Sequence, residues 1–273
     1  MTRLAGVLKH LALLAAAAVV LVPFLWIAAA AFKTQISLLM GHVRFSPTMM
    51  NFDEVLFSKT SEYLHNFANS MIVGIASTLL VLAVALPAAF SLARMRWPRW
   101  SVHALLGWSA FFHMIPPIML AGPWYVMAQS VGLENTYAAL ILAHVTLNLP
   151  MGLWLMTIFV RDVPVELVEA ARIDGAETPQ ILTKVILPLV SPGLAATGVL
   201  VFVFSWNEFP IALTLSQKDT ATVPVAIAKY AQEYEIAYTQ MAAAALLSTI
   251  PAVILLVLAQ RFIVRGLTSG AVK

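Results

Sequence analysis

The sequence predicts an all-α integral membrane protein with six transmembrane helices, and three observations carry that prediction. Of 273 residues, 61% are apolar and only 11% charged, with a mean hydropathy of +0.88, against about 45–50% apolar and about 25% charged in soluble domains. The apolar residues fall in runs long enough for a helix rising ~1.5 Å per residue to cross ~30 Å of hydrocarbon. Those runs are rich in Leu, Val, Ile and Ala, without the ~10-residue alternation of a membrane β-barrel. A water-soluble globule is excluded, because a folded chain of this size still exposes about a quarter of its extended surface.

The six spans run at about Leu11–Phe32, Phe67–Leu92, Ala104–Ala128, Tyr137–Val160, Pro192–Leu215 and Met241–Val264, within one transmembrane domain covering residues 1–273. The first run is too long for the ~7–15-residue core of a secretory signal and reads as an uncleaved anchor. Eleven of the sixteen Lys and Arg residues fall on one side: Arg3, Lys9, Arg94, Arg96, Arg99, Arg161, Arg172, Lys184, Arg261, Arg265 and Lys273. The other side holds Lys33, Arg44, Lys59, Lys218 and Lys229. Cytoplasmic loops are the Lys/Arg-rich ones, so both termini are expected in the cytoplasm. The net charge of +3 then suits anionic lipid rather than nucleic acid.

Several chemistries are excluded outright. With no cysteine there are no disulfides, Cys-based zinc or iron–sulfur sites, or thiol nucleophiles. The chain has no G-x-x-x-x-G-K-[ST], H-E-x-x-H or G-x-S-x-G, and its six histidines lack ligand spacing. Catalysis by this chain alone is therefore not expected, and neither a catalytic nor a metal site is assigned.

Two loops stand out. On the outer side, the turn Ser46-Pro47-Thr48 followed by Asn51–Phe57 reads as a short interfacial helix, either a connector or a docking surface. On the cytoplasmic side, Arg161–Val190 is the most polar long stretch. Pro164 suits a first helical turn, and Glu166 and Glu169 favour its positive end. Gly175 can take the left-handed conformation that stops a helix, which gives a helix at about 164–175. Thr178-Pro179 reads as the N-cap and first residue of a second helix leading to Leu187-Pro188. Val165, Val168, Ala170 and Ala171 would form an apolar strip beside Glu166, Glu169, Arg172 and Asp174. Such a knuckle fits either a protein groove or the membrane surface, although its acids would be repelled by anionic lipid.

Glu169-Ala170-Ala171, three residues, Gly175, nine residues, then Val185-Ile186-Leu187-Pro188 resembles the EAA signature of binding-protein-dependent ABC importer permeases, with Val185 in place of the usual isoleucine. The likeness extends through Val22-Pro23-Phe24-Leu25-Trp26, Phe32-Lys33, Asn69-Ser70, Leu92-Ala93-Arg94, Val131-Gly132-Leu133 to Thr136, Trp206-Asn207-Glu208-Phe209 and Val223-Pro224-Val225. It ends in the tail from Gln260-Arg261-Phe262 to Gly270-Ala271-Val272-Lys273. Each match is short; their order and spacing together resemble the MalG-like carbohydrate subfamily.

That resemblance implies a type I ABC importer-like fold and an alternating-access pore shared with a MalF-like second permease in a bacterial cytoplasmic membrane. Two cytoplasmic ATPase subunits, which would hold ATP and Mg, would drive it, and a periplasmic or lipid-anchored sugar-binding protein would feed it. The knuckle would be a coupling helix in a cleft of one ATPase subunit, with Glu166, Glu169, Ala170, Ala171, Arg172, Asp174 and Gly175 at the contact.

Polar residues inside spans are candidates for the substrate pathway or for packing. Glu208, with Trp206 and Asn207 beside it, could line the pathway or bond to the partner permease. Asn148 could bind sugar or satisfy the carbonyl freed by Pro150, with His144 one turn away on the same face. His113 precedes Pro116-Pro117, which should interrupt the third span. Trp124 and Tyr125 could grip a sugar face or belong to the interfacial aromatic belt. An ion-coupled secondary transporter is the main rival, but it needs several intramembrane acids, and Glu208 is the one acid within a predicted span.

Overall fold

The computed structural model describes residues 2–231 and 236–269; the tail motif Gly270-Ala271-Val272-Lys273 lies outside them. In chain order the helices are α1 (Thr2–Ala31), α2 (Gln35–Leu39), α3 (Met50–Phe57), α4 (Tyr63–Arg94), α5 (Arg99–His113), α6 (Pro117–Ser130), α7 (Tyr137–Asp162) and α8 (Val165–Ile173). A short α9 (Thr178–Gln180) runs through a π-helical segment, Ile181–Ile186, into α10 (Leu187–Trp206). Then follow α11 (Pro210–Leu215), α12 (Val223–Ala228) and α13 (Tyr238–Ser269).

Among the described residues, five helices are long and apolar enough to cross a membrane, or six if the bent pair α5–α6 is one span. Two expected spans are not continuous helices. The third, Ala104–Ala128, is interrupted at Pro116-Pro117 as expected: α5 and α6 meet at 95°, because the two prolines supply no N–H to continue the helix. The fifth, Pro192–Leu215, is displaced. Its helix begins at Thr178 and stops at Trp206, and α11 is a separate piece. The π-helical segment lets the chain pass Pro188: the Leu187 N–H reaches back to the Leu182 carbonyl, and the wider turn moves the Lys184 carbonyl away from the proline ring.

The chain divides into two compact units: Met1–His65 with Ala226–Ile250, and Asn66–Val225 with Pro251–Lys273. In the first, the short helix expected after Ser46-Pro47-Thr48 is α3, and it closes the end of α1. Asn51 Nδ2 donates to the carbonyl of Ala31 (2.7 Å), an acceptor that the helix end leaves open, and to that of Lys33 (2.8 Å) just beyond it. Phe52 packs on Phe32 with centroids 5.0 Å apart. Lys33 is only 5% exposed. Its ammonium donates to the His42 carbonyl at 2.7 Å and lies 5.4 Å and 4.9 Å from the Trp26 and Phe45 ring centres, so a carbonyl and two aromatic faces replace much of its water. Tyr63 donates to the Ala244 carbonyl at 3.0 Å, and Gln35 to that of Ile236 at 2.6 Å.

The second unit holds two apolar clusters. One joins Val73 of α4, Ala121 and Ala128 of α6, Leu140 and Ala143 of α7, and Ile211 and Leu215 of α11. The other joins Ala85, Ala89 and Phe90 of α4, Met156 and Val160 of α7, Val168 of α8, Ile181 and Ile186 of the π-helical segment, and Val190 of α10. Small residues bring these spans together, as in membrane bundles generally. A Cβ on Gly152 would come within 2.6 Å of Val81, and one on Gly193 within 2.3 Å of the Phe159 ring. The α6–α7 turn is fixed by Asn135, at φ 52°. Its side-chain oxygen accepts from Gln217 N–H (3.0 Å) and the Thr220 hydroxyl (2.7 Å).

Candidate functional site

The Arg161–Val190 stretch forms the expected knuckle, with boundaries moved by a residue. Pro164 caps α8 rather than opening it. At the far end, Ala176 N–H donates to the Ala171 carbonyl (2.9 Å) and Gly175 N–H to that of Arg172 (3.1 Å). This paired 6→1 and 5→2 bonding is a Schellman motif, and it requires Gly175 at φ +81°. The cap of the next helix is Glu177, not Thr178: the Glu177 N–H donates to Gln180 Oε1 at 3.0 Å, and Thr178 is already helical.

The expected apolar strip of α8 divides between two faces. Val168, 1% exposed, is buried in the second cluster, and Ala171 and Ala176 pack against that cluster. Val165 and Ala170 face away. Glu166, Glu169, Ala170, Arg172, Asp174 and Gly175 are all exposed. Spacing of i, i+3, i+4 and i+7 puts Glu166, Glu169, Ala170 and Ile173 on one outward face. Ile173 was overlooked in the sequence and is 86% exposed; the available signal was its place at the last helical position before Asp174-Gly175. The outward face thus offers two acids, a flat Ala and one large apolar tip.

A second constellation adjoins the first apolar cluster, whose Ala143, Ile211 and Ala212 are its chain neighbours or partners. Glu208 sits in the break Asn207–Phe209, 7% exposed, and its carboxylate accepts the Ile211 N–H on Oε1 and the Ala212 N–H on Oε2, each at 2.9 Å. It thereby supplies acceptors for the opening N–H groups of α11. Its Oε2 lies 3.6 Å from His144 Nε2, just past hydrogen-bond reach. On the other side of the ring, His144 Nδ1 is 2.6 Å from Ser205 Oγ, which is 3.0 Å from Ser77 Oγ. Ser77 Oγ also lies 3.2 Å from the Gly74 carbonyl, so its single proton serves either that carbonyl or Ser205, and the direction of the whole chain follows from that choice. One polar chain therefore joins α4, α7, α10 and the start of α11. Ser77 and Ser205 were not singled out in the sequence, since serine is common in apolar helices and carries no signal of its partner.

The other pathway candidates do not converge. The Asn148 amide bonds to the His144 carbonyl at 2.8 Å, not to that of Thr146, which Pro150 leaves free. Asn207 is exposed and folds back on the Val203 carbonyl at 2.8 Å. His113 is exposed, with Nδ1 3.4 Å from the Leu147 carbonyl and its ring edge-on to Phe204 at 6.0 Å. Trp124 is half-buried against the first apolar cluster, and Tyr125 beside it is exposed.

Comparison with known proteins gives a consistent answer. Residues 85–269 match the family described as the binding-protein-dependent transport system inner membrane component. The trehalose transport system permease protein SugB of Mycobacterium tuberculosis is 35% identical over 263 residues, covering 93% of this chain and 92% of that protein. The trehalose/maltose transport system permease protein MalG of Thermococcus litoralis is 36% identical over 262 residues, covering 94% and 93%. Among solved structures, a bacterial ABC transporter involved in import of the acidic polysaccharide alginate matches with a TM-score of 0.78 at 21% identity, over 95% of this chain and 96% of that one, which establishes the fold. A multi-pass membrane permease of the ABC importer type, this chain belongs to the family of binding-protein-dependent transport system inner membrane components.

Proposed function

We propose that this chain is one of two permease subunits in an ATP-driven importer for a carbohydrate or related polyhydroxylated solute, and that α8 is its coupling helix. The observation that carries the reading is α8 itself. It is a short helix closed at its C-terminus, tied to the bundle through Val168, and it turns Glu166, Glu169, Ala170 and Ile173 outward. A lever has to be rigid, attached and accessible, and α8 meets all three conditions. Ala170 admits close approach of an ATPase subunit, Glu169 offers a carboxylate to a basic partner, and Ile173 an apolar anchor. Nucleotide binding would draw two such helices together and turn the pore from inward- to outward-facing, a two-state change biased by differential binding. ATP and Mg belong to the ATPase subunits in this reading. The second permease is MalF-like, and a periplasmic or lipid-anchored binding protein delivers the solute. Trehalose and maltose in the names of related permeases support the carbohydrate class.

Orientation follows from the Lys/Arg imbalance, with both termini and α8 on the cytoplasmic side. Glu208 and Asn148 are occupied by bonds within the chain, which leaves the exposed His113, Tyr125 and Asn207 and the half-buried Trp124 as the residues able to meet a sugar. An ion-coupled carrier is disfavoured for the same reason, because Glu208 is held by two backbone N–H groups.

The test is reconstitution of the full complex in vesicles with a panel of sugars. The expected result is ATPase stimulation by the loaded binding protein, with Glu169→Lys and Gly175→Pro uncoupling transport while the protein stays in the membrane. Uptake without any ATPase subunit would overturn the reading.

A further inference from the structure

The corner from which α8 leaves α7 is held by a side chain from a different span. Arg94 is the last residue of α4, and its Nη2 donates to the carbonyl of Val160 (2.8 Å), to that of Val163, and more distantly to that of Arg161 (3.5 Å). Val160 and Arg161 belong to the last turn of α7, where carbonyls are short of helical donors, the Val163 N–H reaching that of Val160 at 3.4 Å, and a cation is favoured by the helix dipole. Val163 is the cap of α7 and immediately precedes Pro164, the cap of α8. Glu166, in the first turn of α8, is close enough to act on the Arg94 charge. One guanidinium thus ties the end of α4 to the end of α7 at the corner from which α8 leaves, with Glu166 of α8 near its charge. Phe90 and Ala93 of α4 pack in the same apolar cluster as Val160, Val163 and Val168, so these bonds are partly shielded from water and correspondingly stronger.

Without Arg94, the corner at Val163-Pro164 would be a backbone link only, with the packing of Val168 and Ala171 left to hold α8 on the bundle, and rotation about the backbone there could absorb a displacement of α8. We propose that Arg94 is a positioning residue for coupling: it makes the ends of α4 and α7 and the whole of α8 move as one body, so that a push on α8 reaches two spans. The inference rests on the reading of α8 as a coupling helix. Lysine can keep part of this function, because its ammonium also donates to carbonyls, but it lacks the planar fork that spans several acceptors; glutamine carries no charge.

The cysteine-free sequence makes a direct test possible. Spin labels at Met95→Cys and Leu167→Cys, in the complete complex with its ATPase subunits, report the separation between the end of α4 and α8 with and without ATP and Mg. With Arg94 present, one narrow distance is expected in both conditions. With Arg94→Gln the distribution should broaden and shift by several ångströms on adding nucleotide, and Arg94→Lys should restore most of the narrowing. The inference is overturned if Arg94→Gln stays as narrow and as nucleotide-independent as the parent, or if the parent pair itself changes separation with ATP. Failure of both Arg94 variants to reach the membrane would make Arg94 a folding residue and overturn it equally. The label at Leu167 alone tests the underlying reading. If adding the ATPase subunits leaves its mobility unchanged, α8 is no coupling helix; if the label is immobilised but Arg94→Gln behaves as the parent, only the role of Arg94 falls.

Discussion

Two of the helix ends in the second unit, the one before Gly175 and the one at Asn207–Phe209, are built on different principles. At Gly175 the backbone closes itself: two N–H groups turn back to the Ala171 and Arg172 carbonyls, the side chains around them stay in the open, and the geometry needs only a residue that tolerates φ +81°. At Asn207–Phe209 the backbone closes the end of α10, with the Asn207 N–H on the Val203 carbonyl and the Glu208 N–H on that of Ser205, but the N–H groups that open α11 have no partner within their own helix. A carboxylate from the break itself receives the Ile211 and Ala212 N–H groups. The exposed stop is made by conformation alone; the buried break also draws on a polar side chain to restart the helix, and that side chain has His144, Ser205 and Ser77 as its polar neighbours.

This contrast can be broken at either end. The largest effect is expected from Glu208→Ala, which strips two buried N–H groups of their acceptors at about 1–3 kcal/mol each. Thermal unfolding of the purified protein should show a large loss of stability, and Glu208→Gln a smaller one, since one amide oxygen can still accept. If Glu208→Ala unfolds like the parent, the break is not held by its carboxylate. Next comes Val168→Ala, which empties the buried anchor of α8. A loss of roughly 2 kcal/mol is expected, read as faster proteolysis within residues 163–176 and weaker retention of the ATPase subunits. The smallest effect is Gly175→Ala, at about 1–2 kcal/mol for a left-handed Ala. It should act on transport per ATP more than on thermal stability, because the stop is exposed and nothing lies within 4 Å of a Cβ there. Equal loss of stability from Gly175→Ala and Glu208→Ala would erase the distinction drawn between the two stops.

How much of this was legible in the sequence follows the same division. Features encoded by neighbouring residues were readable. Thr136 caps α7 by accepting from the Ala139 N–H, so that span begins at the expected Tyr137. Pro164 and Gly175 bracket α8 to within a residue. The knuckle candidates from Glu166 to Gly175 were accordingly found together, all exposed except Ala171, which packs against the second cluster. Features that depend on how spans are rotated against each other were not readable. Ser205 lies 61 residues from its partner His144, and hydropathy says nothing about which faces meet. The stop after Trp206 was hidden for a related reason: Val199–Leu215 is apolar almost throughout, and Pro210 could as well have been tolerated inside one helix, as Pro150 is inside α7. Pro192 misled in the other direction. It marked a plausible start, yet α10 carries it as an internal residue, because the π-helical segment had already accommodated Pro188. On α8, only the packing of Val168 reveals which side is outward, and hence that Ile173 belongs to the exposed face.

The wrapped ammonium of Lys33 bears on what the finished chain shows to its surroundings. In the tally that sets orientation, Lys33 counts among the few cations on the side that should be poor in them. Once folded, that charge is surrounded by a carbonyl dipole and two ring faces, so the surface of that side carries one cation fewer than a count of letters suggests, and replacing Phe45 or Trp26 by a small residue would uncover it.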